Sequence, residues 1–404
     1  MKNNFPEGFL WGAATSAYQV EGGNCFCDWW EWEESSGKER SNQACRHYEL
    51  FKEDFAIASG LGHNAHRFSI EWSRIEPQPG KFVQEELKHY FEVARVLGGL
   101  NIEPVVTLHH FTIPLWLAKK GGWENPRVVF YYLRFVEKIL EILAPQVKYW
   151  ITINEPMVYA YHGYIAAAWP PQKSSLFRAA QVKKNLLKAH LGAYSLIQDY
   201  YRKRNIPAPS IGIAQSMQAF VCCEDNFRNR LAARLRHYLF NLEFIDKAIG
   251  KNALDFIGVN YYTRSLVDVK SWGIKGLLLD ICEKHKNFPL NSMGWEIYPQ
   301  GLFDLLCLLK VYNIPIIISE NGICTQDDNL RWSYIYEHLK QIKLAIDKEI
   351  QVKGYLYWSL LDNFEWDKGF APRFGLVEVD YTTFKRKARD SAFKFAEICR
   401  ANSL

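Results

Sequence analysis

Eight short apolar runs, each followed by a longer amphipathic stretch, narrow the folds open to this 404-residue chain more than any other feature. The runs lie at 9–15, 64–70, 103–110, 149–154, 210–216, 256–262, 315–319 and 354–361. Each has the length and composition of a buried strand. Helical patterns occupy 45–60, 84–99, 126–144, 174–203, 226–249, 299–312, 329–349 and 384–400. Such alternation implies parallel strands joined by crossover helices. Eight units close into a barrel, so the expected fold is α/β, a (β/α)8 TIM barrel. The competing open doubly wound sheet usually carries a Gly-rich phosphate turn, and no G-x-G-x-x-G follows any strand here. No linker, repeat or low-complexity tract breaks the chain, so one domain spanning 1–404 is expected.

In such a barrel the chemistry gathers at the C-terminal ends of the strands. The stretch W-I-T-I-N-E-P (150–156) ends a strand on Asn154 and Glu155, and Pro156 biases Glu155 away from helix. The stretch P-I-I-I-S-E-N-G (315–322) ends another on Glu320. The remaining exits supply Gln19 and Glu21, then Arg67, Glu71 and Trp72, then His109, His110 and Phe111. Strand five offers Gln215 and Ser216, and strand six Asn260, Tyr261 and Tyr262. Strand eight carries Trp358, then Asp362, Asn363, Glu365 and Trp366. Any one of these residues has a structural explanation; the set converging on one mouth does not.

Composition excludes several classes. A net charge of +5 with no long basic run is too mild for a nucleic-acid binder. The densest basic cluster, Arg228, Arg230, Arg234 and Arg236, reads as the solvated face of an outer helix. No run reaches the ~20 apolar residues of a membrane span. Glu7 precedes the apolar stretch 9–18 and no basic leader is evident, so a cytoplasmic protein is expected. Nine scattered cysteines argue against a disulfide framework and are read as reduced. Oligomeric state has no signature in the chain. Fourteen Trp hint at flat apolar ligands such as sugars, though a large core also uses them.

Paired carboxylates suit cleavage of a glycosidic bond, which needs a proton on the leaving oxygen and charge stabilisation at the anomeric carbon. Separations of about 5–5.5 Å give retention, and about 6.5–9.5 Å inversion; the sequence leaves both open. Glu320 must stay ionised to attack, and Arg67 and Tyr262 are placed to lower its pKa. Glu155 needs a raised pKa to hold a proton. The amide of Asn154 is placed to hold a sugar 2-hydroxyl. His109 and His110 are adjacent on a strand and face opposite ways, so they cannot share one metal ion. No metal or other cofactor is expected.

These motifs resemble glycoside hydrolase family 1, the β-glucosidase and β-glycosidase family, from F-L-W-G-A-A-T-S-A-Y-Q-V-E-G (9–22) to R-F-G-L-V-E-V-D-Y (373–381). T-I-N-E-P (152–156) and I-S-E-N-G (318–322) match its two catalytic motifs. The resemblance implies a retaining, exo-acting β-glycosidase, a β-glucosidase with β-galactosidase or β-fucosidase side activity. It makes Glu155 the acid/base and Glu320 the nucleophile. It also implies that Gln19, His110, Asn154, Glu365 and Trp366 hold the terminal sugar of a small β-glycoside or short oligosaccharide, with Trp358 as stacking platform. Arg67 and Tyr262 would flank the nucleophile. The subgroup acting on 6-phosphoglycosides carries Ser at the position of Glu365, so a neutral hexose is implied. The other readings are a non-catalytic sugar-binding barrel and an enzyme acting mainly as a transglycosidase. Phe111 stands where the family often has Trp. The stretch 242–255 and the segment after Tyr262 look shortened, which implies a thinner, more mobile wall between strands five and seven.

Overall fold

The computed structural model describes residues 4–271, 273–282 and 288–404. Eight strands run in chain order around a closed barrel: β1 (Leu10–Ala14), β2 (Ala65–Ser69), β3 (Glu103–Thr107), β4 (Tyr149–Asn154), β5 (Ser210–Cys222), β6 (Phe256–Val267), β7 (Ile316–Asn321) and β8 (Val352–Trp358). All eight neighbour pairs are parallel, and β8 closes onto β1 from Leu10↔Gly354 to Ala14↔Trp358. The fold is the expected (β/α)8 barrel.

Period-two alternation sorts each strand between two cores. Ile151, Ile317 and Leu356 face the lumen, where they meet Leu10, Val105 and Phe256. Trp150, Ile316, Ile318 and Tyr355 face outward and are covered by helices. The helix Val128–Leu143 shows how that cover works: Tyr132, Phe135, Val136, Ile139 and Leu140 share one buried stripe. Each such side chain contributes about 1.5–3 kcal/mol of burial energy. No helix of the described chain is long and apolar enough to cross a membrane.

Element boundaries differ from expectation where tertiary contacts intervene. The last helix is Asp390–Ala401 and starts late, because Arg386–Ala388 pairs antiparallel with Val377–Val379. β3 stops at Thr107, and the chain turns through Phe111 in a left-handed conformation (φ 70°). β5 and β6 run past the rim as a paired ribbon reaching Cys222↔Val267. The wall outside them is the helix Phe227–Arg236, a π-helical turn His237–Leu242 and the helix Glu243–Ile249. The expected trimming after Tyr262 falls partly on residues 272 and 283–287, outside the described residues.

Two sequence readings are corrected here. Arg236 is not on a solvated face: it is buried, and its guanidinium donates to the carbonyls of Leu277 (2.8 Å) and Gly276 (3.0 Å). The nine cysteines are not all reduced: Cys223 and Cys282 form a disulfide, and the other seven are free. The pair is 59 residues apart and meets because the segment after β6 returns to bridge Val267 through Ile281, beside the end of β5.

Gly322, just past Glu320, has a specific steric reason. A Cβ there would sit 1.7 Å from the Trp358 carbonyl oxygen, so only glycine lets the β7 exit pass the end of β8. Gly322→Ala is expected to lower stability by about 1–3 kcal/mol or more through overpacking and to cut activity, read as an earlier urea midpoint and a reduced turnover.

Candidate active site

Local backbone irregularity aims the two glutamates. The β4–β5 register shifts between Ile151 and Asn154, and the β6–β7 register shifts just before the pair Asn260↔Glu320. Such bulges redirect side chains at the ends of strands. Glu155 adopts the left-handed conformation (φ 46°), with Pro156 opening the helix Pro156–Tyr164 behind it. That conformation costs about 1–3 kcal/mol. It is held in part by a 2.7 Å hydrogen bond from the Glu155 N–H to the Ala214 carbonyl.

The two carboxyls have different company. Glu320 accepts from the Arg67 guanidinium at 2.6 Å and from the Tyr262 hydroxyl at 2.5 Å. Arg67 is 1% exposed and also donates to Asn154 (2.6 Å), Thr107 (3.0 Å) and the Ser319 carbonyl (3.2 Å). Glu155 instead accepts from the neutral amide of Asn260 at 2.9 Å. The same amide donates to Asn154 (3.1 Å), and its oxygen accepts from the Ser319 hydroxyl (2.7 Å). Asn154 then passes its own N–H toward His110 Nε2 at 3.2 Å.

The electrostatics follow from that company. Burial and the nearby Glu320 charge raise Glu155 to about 8. Burial also raises Glu320, although Arg67 and Tyr262 pull it back. The expectation that Arg67 and Tyr262 would lower Glu320 below its usual range is therefore corrected: desolvation exceeds their attraction. Of the two, Glu155 is the carboxyl that keeps its proton near neutrality. Burial and then Arg67 lower His110, which stays neutral. Its Nε2 accepts from Asn154, so its proton sits on Nδ1, which has no partner among the described residues. Tyr262 is pushed well up by burial and by Glu320 and remains a donor.

A third carboxyl stands apart from Arg67. Glu365 follows β8 and accepts from Gln19 at 3.2 Å. Burial, then Glu320 and Glu155, raise it to about 8. Gln19 is fixed by Ser16 (2.7 Å), by Asn363 (3.0 Å) and by the Phe364 carbonyl (2.9 Å). Trp358 and Trp366 flank His110, each with its ring nearly parallel at 6.0 Å.

These groups enclose one cavity of about 860 Å³. Glu155, Glu320, Gln19, His110, Trp358, Glu365, Trp366 and Tyr262 all line it. Asn154 and Arg67 do not; each is 1% exposed and lies behind the wall. His109 faces away, against Trp123 and Tyr159. Asn260 was visible at a strand exit, but its bond to Glu155 was not. Trp295, which packs on Tyr262, comes from an irregular segment with no sequence signal; Phe374, which packs there too, lies in R-F-G-L-V-E-V-D-Y (373–381), but nothing in that stretch places it at the site.

The comparisons with known proteins agree with this geometry. The model of glycosyl hydrolase family 1 matches residues 1–251 and 226–404. A β-glycosidase from Pyrococcus horikoshii is 40% identical, with a TM-score of 0.94 over 100% of this chain and 96% of that one. A β-glucosidase from Thermotoga maritima, solved with glucoimidazole, is 32% identical, with a TM-score of 0.92 over 100% of both chains. A 6-phospho-β-galactosidase from Clostridium acetobutylicum is 32% identical over 98% of this chain and 97% of its own. A closed eight-stranded barrel, two unlike glutamates at its mouth and a family match along its length lead to one conclusion: the chain belongs to glycosyl hydrolase family 1.

Proposed function

We propose that the chain is a retaining, exo-acting β-glycosidase whose terminal sugar is a neutral hexose, with glucose preferred and galactose and fucose accepted. The reading rests on the unlike surroundings of two buried carboxyls on one cavity: a cation and a phenol on Glu320, a neutral amide on Glu155. Glu320 attacks the anomeric carbon while Glu155 protonates the leaving oxygen. Glu155, now ionised, then takes a proton from water, which displaces the sugar from Glu320 with a second inversion and net retention. Arg67 and Tyr262 stabilise Glu320 as nucleophile and again as leaving group. Gln19, His110, Glu365 and Trp366 hold the sugar hydroxyls, and Trp358 supplies the flat face beneath the ring; Asn154, expected to hold the 2-hydroxyl, lies behind the wall and instead orients His110 and Arg67. Among the described residues the His110 Nδ1–H has no partner and the Glu365 carboxyl accepts from Gln19 alone, which suits groups that await a hydroxyl. A 6-phosphate would face the Glu365 carboxyl in place of a serine hydroxyl and be repelled wherever that carboxyl ionises, which favours a neutral hexose over the substrate named for the Clostridium relative. The protein works as one catalytic domain in the cytoplasm.

Glu320→Ala is expected to abolish turnover, and added azide to restore a product of inverted configuration, read by NMR of the released sugar. Full activity in that variant would sink the assignment. The kcat/KM profile is expected to be bell-shaped. Its acid limb is protonation of Glu320, and its alkaline limb is loss of the Glu155 proton near pH 8. Glu155→Gln should remove the alkaline limb and slow substrates with poor leaving groups by about 10²–10⁴-fold; an unchanged alkaline limb would refute that role.

Glu365 has a folded pKa of about 8, above its unfolded value. Its stabilising contribution is therefore full below the unfolded pKa and is lost as pH rises through 8. Glu365→Gln should raise stability above pH 7 by about 1–3 kcal/mol and leave it unchanged near pH 4, while raising KM. Thermal melts at the two pH values check this.

A further inference from the structure

Glycosidase chemistry makes no use of the far end of the β5–β6 ribbon. Cys223 follows β5, Asp268 follows β6, and Cys282 lies on the segment that returns beside them. The frame is tightly bonded: Cys223 N–H donates to the Val267 carbonyl and Cys282 N–H to the Leu266 carbonyl, both at 3.0 Å. Ile281 bridges Val267 in antiparallel fashion. One ligand atom from each of Cys223, Asp268 and Cys282 lies within 4.8 Å of the other two. Among the described residues the Asp268 carboxylate makes no hydrogen bond or ion pair.

We propose that this trio, once its disulfide is reduced, is a binding site for one zinc-like divalent cation, and that either link pins the outer wall of the cavity. Two electrons from a thiol reductant open the bond. The first thiolate forms a mixed disulfide with one cysteine and the second displaces it, leaving both cysteines as thiols and the reductant as its own disulfide. Each thiol releases a proton as its sulfur takes the cation; the carboxylate supplies the third ligand and water the fourth. Two soft sulfurs and one oxygen suit zinc rather than calcium or magnesium. Bonds of about 2.3 Å to sulfur and 2.0–2.2 Å to oxygen place tetrahedral donors about 3.5–3.8 Å apart, within the 4.8 Å available. Cys222 is no fourth ligand, because it packs on the other face, with Ala232, Ala233 and Val267. In a reducing compartment the dithiol prevails, and the cation then takes over the tether.

The link to the cavity is Ile281. It neighbours Cys282 and lines the cavity, as do Met217 and Gln218 of β5. Arg236 holds the same excursion at Gly276 and Leu277. With both the disulfide and the cation gone, that anchor remains while the end carrying Ile281 loosens. The leaving-group side should feel this, whereas Gln19 and Glu365 lie on the segments that follow β1 and β8, away from β5 in the barrel order.

The test begins with the full chain reduced by a dithiol, freed of it without oxygen, and titrated with Co²⁺. One equivalent should bind with thiolate-to-cobalt charge-transfer absorption, displaced by Zn²⁺ and absent from the oxidised protein. Cys223→Ser and Cys282→Ser should each abolish the band, Cys222→Ser should keep it, and Asp268→Asn should weaken binding at least about tenfold. No band in the reduced protein, or one that survives both cysteine variants, overturns the site; full affinity in Asp268→Asn overturns the three-ligand set. This readout needs no turnover, so it stands apart from the proposed activity. For an aryl glycoside with a bulky leaving group, KM should rise about three- to tenfold in the reduced, cation-free protein and recover with Zn²⁺, at constant kcat. An unchanged KM overturns the tether.

Discussion

The Arg67 guanidinium beneath the cavity floor is the charge around which the rest of the site is arranged. It is almost completely buried, so its desolvation must be met by partners on several strands. It meets Thr107 of β3, Asn154 of β4, and both the Ser319 carbonyl and the Glu320 carboxylate of β7. One side chain from β2 therefore ties together strands far apart in the barrel. Breaking a buried pair of this kind costs about 3–5 kcal/mol, because the remaining charge has no water to turn to. The same cost keeps Glu320 seated where it can react.

Asn260 is the neutral counterpart to that cation. It orients Glu155 without offering it a positive charge, so burial and the neighbouring carboxylate are left to hold its proton on. The difference between the two glutamates is thus made by their neighbours, since the side chains are chemically identical. Three buried carboxyls within one cavity exceed what a single guanidinium can neutralise. Burial first, and this excess of negative charge second, raise Glu155 and Glu365. The cavity is electrostatically unsatisfied when empty, which suits a ligand rich in hydroxyl donors.

The outer wall is built on a different plan. Where the barrel strands are held by ladders on both sides, the β5–β6 ribbon leaves the rim with only one partner each way. Arg236 and the Cys223–Cys282 link compensate there, adding polar and covalent ties to a small apolar cluster around Ala232, Ala233 and Val267. Specificity for the leaving group can then vary on this side with little strain on the catalytic floor.

Much of the barrel and its mouth was legible in the chain. Eight apolar runs and the helical periods between them are local patterns, and a strand or helix that buries one face must show its period. The glutamates were legible because Asn154-Glu155-Pro156 and Glu320-Asn321-Gly322 sit where buried strands end. The pairing of Cys223 with Cys282 was not, since residues 59 apart carry no local sign of meeting. Nor was the upward shift of Glu320: Arg67 announces attraction in the sequence, but the depth of burial opposing it exists only once the barrel closes. The burial of Arg236 and the bond from Asn260 to Glu155 belong to the same class. Local periodicity determined the elements and their order; long-range contacts and the exclusion of water decided which charges survive, and those depend on neighbours that only the closed barrel brings together.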